Sequence, residues 1–214
     1  MKVKNVVICA AGLGSRLGLD TPKCLVKLGK HRLIYYLLET LKAVENIRIV
    51  VGFKEEEVIE YVKSIREDVV FVRNPDYSTT TNSYSLHLGS HDLIEPFVTI
   101  DGDMIIDQKN FQIFVDAIDV NEDLIAITEA KTEDAVFVHV DEDKYITEFS
   151  REPISKFEWS GVAYFANFKI NKDGQYVYQE IEPHLPMKSV MIDCWEIDTP
   201  SDLDLVMNEV SHIF

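Results

Sequence analysis

The 214-residue sequence predicts an α/β fold, a three-layer sandwich around a mixed, mostly parallel central sheet, with a small β-rich elaboration in its second half. Three observations predict it. Apolar, β-branched runs alternate with stretches of helical periodicity through the first part of the chain, glycines follow directly after the first run, and beyond residue 135 the spacing shortens to that of hairpins.

The elements follow in order. The run "VKNVVIC" is short, apolar and β-branched, and Gly12 and Gly14 come just after it, which predicts a buried strand ending in a glycine loop. In "HRLIYYLLETLKAV" the apolar residues Leu33, Ile34, Leu37, Leu38 and Leu41 keep helical spacing, and "IRIVVG" returns to a strand. "KEEEVIEYVKSIR" predicts an amphipathic helix whose acidic first turn suits the positive end of the helix dipole, and "DVVFVR" a third strand. After the loop "NPDYSTTTN" come a helix in "SYSLHLGSHDL", the strand "FVTID", a helix around "QIFVDAI" and the strand "DLIAIT". Strands and helices in this alternation imply βαβ crossovers and a sheet covered on both faces, a Rossmann-like arrangement. Further on, "AVFVHV" and "YITEFS" predict a hairpin, "WSGVAYF" a strand, and "TPSDLDLVMNEVSHIF" a closing helix with Pro200 at its start. A single domain over residues 1–214 is expected, without repeats or linkers.

With Lys and Arg together 21 against Asp and Glu 37, the net charge is −16, which argues against a nucleic-acid partner. No run approaches the roughly 20 apolar residues of a membrane span. The N-terminal "MKVKNVVICAAG" lacks the long apolar core and cleavage site of a leader, so a cytoplasmic location without membrane attachment is expected. Cys9, Cys24 and Cys194 are odd in number and far apart, which fits neither a disulfide framework nor a zinc site. A homodimer is allowed.

Charge is distributed unevenly. Residues 1–32 hold Lys2, Lys4, Arg16, Lys23, Lys27, Lys30 and Arg32 against one acid, Asp20, a segment of +6 on a remainder of −22. Such a cluster is either a solvated surface or a local anion site. In an open α/β sheet, ligands bind beyond the carboxyl ends of the strands, where the first glycine loop lies. A Walker loop requires GxxxxGK[ST], and no Gly-Lys pair stands at that distance; a dinucleotide fingerprint requires GxGxxG, but Leu17 takes the third position and Gly18 comes one residue late. What remains is "AAGLGSR" followed by "PK". There the backbone of Ala10, Ala11, Gly12, Gly14 and Ser15 can face phosphate oxygens, Arg16 offers a planar fork and Lys23 a compact charge. Pro22 stiffens the approach to Lys23.

Two acidic stretches complete the pattern. "FVTIDGDMII" places Asp101 and Asp103 at a strand end, either as a plain turn or as paired carboxylates that need a cation between them, for which hard Mg2+ is suited. "CWEIDTPSDL" sets Glu196 and Asp198 two apart on extended chain, hence on one face, with Thr199 as the N-cap of the next helix.

Taken together, "AAGLGSRLGLDTPKCLV", "DGD" and "EIDTPSDL" resemble the nucleotidyltransferases that join a nucleoside monophosphate to a sugar 1-phosphate or a small phosphorylated alcohol, over nearly the whole chain. "NPDYSTTTNSYSL" is similar to the NPxYxxTNNxxSL stretch of their phosphocholine cytidylyltransferase branch, with Ser83 standing where that pattern has its second Asn. The resemblance implies that Asp103 and Asp198 hold the catalytic Mg2+, with Glu196 a third ligand and Asp101 facing the nucleotide. It implies attack of an acceptor phosphate or phosphonate oxygen on the α-phosphorus of a nucleoside triphosphate, CTP favoured, with Lys23 stabilising the α-phosphate and Arg16 the departing pyrophosphate. Asn82 and the "STTT" hydroxyls are expected to read the base. For an acceptor carrying an amine or quaternary ammonium, Tyr84, Trp159, Tyr164 and Trp195 are candidate aromatic walls, and Arg151 and Lys156 candidate partners of its phosphate. Competing expectations are a sugar 1-phosphate uridylyl- or thymidylyltransferase, a D-x-D nucleotide-sugar glycosyltransferase, which leaves Arg16 and Lys23 without a role, and a non-catalytic nucleotide-binding regulator.

Overall fold

In a computed structural model the structure describes residues 2–14, 17–131 and 135–213, with side chains through residue 207. Nine strands make the main sheet: β1 (Asn5–Cys9), β2 (Asn46–Val51), β3 (Val70–Arg73), β4 (Phe97–Asp101), β5 (Leu124–Glu129), β6 (Phe137–Val140), β7 (Tyr145–Ser150), β8 (Phe157–Phe165) and β9 (Met187–Met191), in the order β3-β2-β1-β4-β8-β5-β9-β7-β6. The pairs β3/β2, β2/β1, β1/β4 and β5/β9 are parallel, and β8 and β7 run against all the others. The sheet is thus mixed, and it departs from the mostly parallel expectation: seven of its nine strands point one way, but four pairings are parallel and five antiparallel, because β8 and β7 are inserted between strands of the other sense.

Alternation in β1 shows why the fold has three layers. Val6 and Ile8 enter one core cluster and Val7 another, although all three are fully buried; a central parallel strand needs apolar side chains on both faces. The first face is covered by the apolar stripes of helices α1 (Leu33–Thr40), α2 (Glu55–Lys63) and α4 (Gln108–Ala117), through residues such as Leu37, Val62 and Phe114. The second is covered by α3 (Asn82–Ser90) and α5 (Val177–Ile181), through Leu86, Val177 and Ile181. Helix α3 lies close: a Cβ on Gly89 would stand 2.5 Å from Val7 Cγ1 and 2.8 Å from Val50 Cγ2. A third cluster, with Leu17, Leu28, Leu33, Ile105, Ile197 and Val206, seats the closing helix α6 (Pro200–Ile213).

The second half does more than decorate the sheet. The hairpin β6/β7 turns at Asp141–Lys144, where Asp141 Oδ1 accepts from the amides of Asp143 at 3.0 Å and Tyr145 at 2.8 Å. Strand β6 also meets β8, with Glu158 opposite Phe137 and the Trp159 amide donating to the Val136 carbonyl at 2.8 Å, so β8-β5-β9-β7-β6 closes on itself. Strand β8 is the joint: its register on β5 shifts between Trp159 and Ala163, where Gly161 has φ +76°, and past that shift it pairs with β4. Strand β9 and helix α5 lie outside what the sequence predicts, because Lys188 and Ser189 interrupt the apolar pattern of "MKSVM" and "VYQEI" is too short to show a period.

Candidate active site

The register of three parallel strands builds the site. Cys9 at the end of β1 lies opposite Val50 of β2 and Asp101 of β4, so the loop after β1 and the "DGD" turn emerge side by side. The Ala10 amide donates to the Val50 carbonyl at 2.9 Å and the Gly102 amide to the Cys9 carbonyl at 2.9 Å, extending the ladder one step past the strands. A cleft of about 330 Å³ opens there. Its floor is the backbone of Ala10 to Gly14, and Asp101, Asp103 and Glu196 face it on one side. Thr80, Thr81 and Asn82, at the start of α3, face it on the other.

Lys23 enters this cleft from a single 3-10 turn, Lys23–Leu25, after Pro22. Gly14 has φ +64° and a Cβ there would stand 2.8 Å from Lys23 Cγ, so glycine both permits the turn and lets the lysine stem pass. The Lys23 ammonium donates to Asp103 Oδ2 at 2.8 Å and forms a short ion pair with Asp198 Oδ1. Burial alone would lower this lysine, but the charges of Asp103 and Asp198 outweigh it and hold the ammonium above its ordinary range. The sequence placed Lys23 at the phosphates; the structure places its nitrogen between the two acids.

Two short ties bring those acids together from segments 95 residues apart. Trp195–Glu196 forms a two-residue antiparallel ladder with Met104–Ile105, and the Ile197 amide donates to the Asp103 carbonyl at 3.2 Å. The start of α6 fixes the far end: Asp202 Oδ2 accepts from the amides of Asp198 at 3.1 Å and Thr199 at 2.7 Å, while the Asp202 amide donates to Thr199 Oγ1 at 3.3 Å. This is a capping box closed by an aspartate, with Pro200 as first helical residue.

Asp103, Glu196 and Asp198 consequently offer carboxylate oxygens within 4.8 Å of one another. Glu196 is among the exposed residues, yet burial of its carboxyl first, then the charges of Asp103, Asp198 and Asp101, push it well above the carboxylate range. Burial likewise pushes Asp101 up to about 8, with Asp103 adding and Lys23 opposing. Three hard oxygen donors that repel one another at this spacing suit a divalent cation such as Mg2+.

The other sequence candidates divide. Asn82 lines the cleft. Ser15 and Arg16 lie outside the described residues. Tyr164 is a correction: at 2% exposure it belongs to the first core cluster, and its hydroxyl donates to the Val120 carbonyl at 3.2 Å, so it lines no cleft. Tyr84 is half-buried on α3 and does not line the cleft. Trp159 packs edge-on to Phe149, its centroid 6.2 Å away, and Trp195 lies under the Lys131 ammonium at 4.6 Å. Arg151 and Lys156 are exposed, Arg151 5.9 Å above the Tyr178 ring and Lys156 5.1 Å from the Phe157 ring. The aromatics that do line the cleft are Tyr77 and Tyr176. Tyr77 sits within "NPDY" and is packed on Gly52, where a Cβ would come within 2.7 Å of its own Cβ. Asn74 orders that loop from a buried position, donating to Thr80 Oγ1 and Ser85 Oγ at 3.0 Å each. Tyr176 comes from the irregular segment "NKDGQY", which gives no sequence signal.

The fold and the cleft define a nucleotide-handling α/β domain. The chain belongs to the MobA-like NTP transferase domain family, whose model matches residues 6–177. It is 37% identical over 113 residues to a choline-phosphate cytidylyltransferase of Streptococcus pneumoniae (strain ATCC BAA-255 / R6), a match spanning 50% of this chain and 48% of that protein. It is 32% identical over 111 residues to the bifunctional protein GlmU of Aliarcobacter butzleri (strain RM4018), spanning 51% of this chain and 26% of that protein. The match thus covers about half the length of the first curated relative and about a quarter of the second. Among solved structures, the inositol-1-phosphate CTP transferase from T. maritima shares the fold with a TM-score of 0.80 and 20% identity, over 100% of this chain and 97% of that one. The CTP:phosphocholine cytidylyltransferase from Streptococcus pneumoniae (LicC) matches with a TM-score of 0.77 and 25% identity, over 97% and 100% of the two chains. No helix among the described residues is long and apolar enough to cross a membrane.

Proposed function

We propose that this protein is a Mg2+-dependent cytidylyltransferase that transfers CMP from CTP to a small phosphorylated or phosphonylated alcohol or amine and releases pyrophosphate. One observation carries the reading: a glycine-rich loop, the half-buried Lys23, Asp103 and Glu196 line one cleft at the carboxyl ends of β1 and β4, and Asp198 converges on the same two carboxylates and on the Lys23 ammonium. The choline-phosphate relative supports the choice of base and acceptor class.

In the reaction, an acceptor phosphate oxygen forms a bond to the α-phosphorus as the bond to the bridging oxygen of pyrophosphate breaks. The acceptor is already ionised at neutral pH, so the chain's task is to position the reactants and to balance charge. The amides and open backbone of Ala10 to Gly14 hold the triphosphate, with Ser15 and Arg16 next in sequence. Asn82, Thr80 and Thr81 face the base, and Asp101 holds the nucleotide from the other side. Asp103 and Asp198, joined by Glu196, would hold the Mg2+, which supplies Lewis acidity at phosphate oxygens when bound. Lys23 lies beside these carboxylates with a permanent positive charge, and supplies it to the α-phosphate as negative charge grows there. Tyr77 and Tyr176, the aromatics that line the cleft, form the wall for the acceptor's amine or ammonium in place of Tyr84, Trp159, Tyr164 and Trp195.

The test is pyrophosphate release with Mg2+ and each of CTP, UTP, dTTP, ATP and GTP, against phosphocholine, phosphoethanolamine, 2-aminoethylphosphonate and sugar 1-phosphates. Turnover with CTP and one amino or ammonium acceptor is expected. Turnover with sugar 1-phosphates instead would transfer the assignment to the uridylyl- or thymidylyltransferase reading. Release with none of these pairs would sink the proposal.

A further inference from the structure

Next to the cleft, and sharing Glu196 with it, lies a small cavity lined by Lys131, Glu158, Trp195, Glu196, Asp198 and Asp202 among others. Lys131 sits just past the end of β5, and its side chain reaches across to the segment that leaves β9. The ammonium donates to Thr128 Oγ1 at 3.3 Å and to Asp193 Oδ1 at 3.0 Å, and makes a short hydrogen bond to the Cys194 carbonyl. An ammonium has three donors, and here each has its own acceptor. The same nitrogen lies 4.6 Å from the centroid of the Trp195 ring. It therefore grips three consecutive residues, Asp193 to Trp195, immediately before Glu196 and Asp198.

We infer that Lys131 is a positioning residue that holds the Asp193–Trp195 segment against β5 and so fixes Glu196 and Asp198 for a divalent cation. The inference rests on the proposal that these acids hold a metal. Three carboxylates within 4.8 Å repel, and the Asp193–Trp195 segment is otherwise tied by the two-residue ladder at Trp195–Glu196 and by the amides of Ile192 and Asp193, which donate to the Ile127 carbonyl at 2.9 Å and to Asn110 Oδ1 at 2.8 Å, with the capping box holding Asp198 beyond it. Without the clamp, that repulsion is relieved by letting the segment move away from Asp103. Charge and position make opposite demands here. As a nearby positive charge, Lys131 disfavours a bound cation, so its removal would tighten metal binding if charge were its only role; as a clamp, its removal weakens binding.

Mn2+ titration by electron paramagnetic resonance, without nucleotide or acceptor, separates the two. Lys131→Met, which keeps the stem and loses all three donors, is expected to weaken Mn2+ about tenfold, the lower end of what outer-shell substitutions do to metal sites. The Mg2+ concentration for half-maximal pyrophosphate release should rise by a similar factor. Lys131→Arg, which keeps the charge but spreads its donors in a plane, should fall between. Lys188→Met, whose ammonium faces Glu122 at 3.9 Å, is the control and should bind as the wild type does. If Lys131→Met does not fold, Thr128→Val and Asp193→Ala each delete one acceptor and should each weaken Mn2+ two- to threefold. Unchanged or tighter Mn2+ binding in these variants, while the wild type binds, would overturn the inference alone. A wild-type protein that binds no Mn2+ would overturn the metal reading and the inference with it.

Discussion

Lys23 occupies the space between Asp103 and Asp198, where a cation shared by the two acids would also sit. The spacing "AAGLGSR" to "PK" made the lysine legible as a phosphate ligand, but its ion pairs depend on where β4 and the "DTP" segment meet, which no local pattern encodes. Two opposite effects follow from one substitution. Lys23→Met should lower turnover by about 10²-fold or more, as expected for a preorganised electrostatic group. In the nucleotide-free protein it should instead tighten Mn2+ binding, because the competing ammonium is gone; weaker binding would show that Lys23 orders the acids rather than neutralising them. Glu158 gives a prediction of a different kind. Burial raises its carboxyl from an ordinary 4.5 to about 7, against the opposing backbone amide and charge of Lys131. Below pH 4.5 both the folded and unfolded forms are protonated; between 4.5 and 7 the unfolded form releases its proton first, so stability falls as pH rises and the penalty is complete above 7. Because solvent reaches part of the side chain, the full linkage value of about 3 kcal/mol is discounted to about 1–2 kcal/mol. Glu158→Gln should therefore be more stable than wild type by that amount at pH 8 and equal to it at pH 4, by thermal or urea unfolding.

At the scale of elements, the parts that position the site are the shortest ones. The long strands and helices of the first half were legible because β-branched runs and helical periodicity extend over enough residues to declare a period. The ladder between Met104–Ile105 and Trp195–Glu196 was not, since two residues have no period, and Tyr176 sits in a segment with none. The capping box was half legible: Thr199 and Pro200 marked the helix start, while the role of Asp202 is seen only in its two bonds from the amides of Asp198 and Thr199. Thr199→Ala removes the hydroxyl that accepts from the Asp202 amide and should cost about 1 kcal/mol of stability, read from denaturant unfolding. Because the same box seats Asp198, the Mg2+ requirement should rise with it; a stability loss with an unchanged Mg2+ requirement would separate the cap from the site.

Over the whole molecule the net charge is −16, and of the cations in the +6 segment 1–32 Lys23 alone lines the cleft among the described residues. At about 0.01 M salt the Debye length is about 30 Å, so an approaching triphosphate feels the acidic body as well as the glycine loop, whereas at about 0.1 M it shrinks to about 10 Å. Raising NaCl from about 10 to 150 mM at fixed free Mg2+ should therefore raise kcat/KM for the triphosphate roughly twofold, by screening the repulsion of the body; a fall would mean that the cationic segment governs the encounter. The fold class and both halves of the acidic cluster were legible at this scale, because each was carried by a contiguous stretch. The closure of β6 onto β8 was not, since it joins strands through a register shift at Gly161 that composition does not reveal. That closure has a consequence for how molecules meet. A sheet that returns on itself at one end has a single open edge in the described structure, β3, where Val70 is 54% exposed. This edge is four residues long, with Arg73 ion-paired to Glu55 at 3.1 Å and Lys63 lying 6.0 Å from the Phe71 ring. So short and charged an edge is a poor template for a neighbour's strand, and the largely β architecture of the second half adds no further surface for edge-to-edge growth into aggregates.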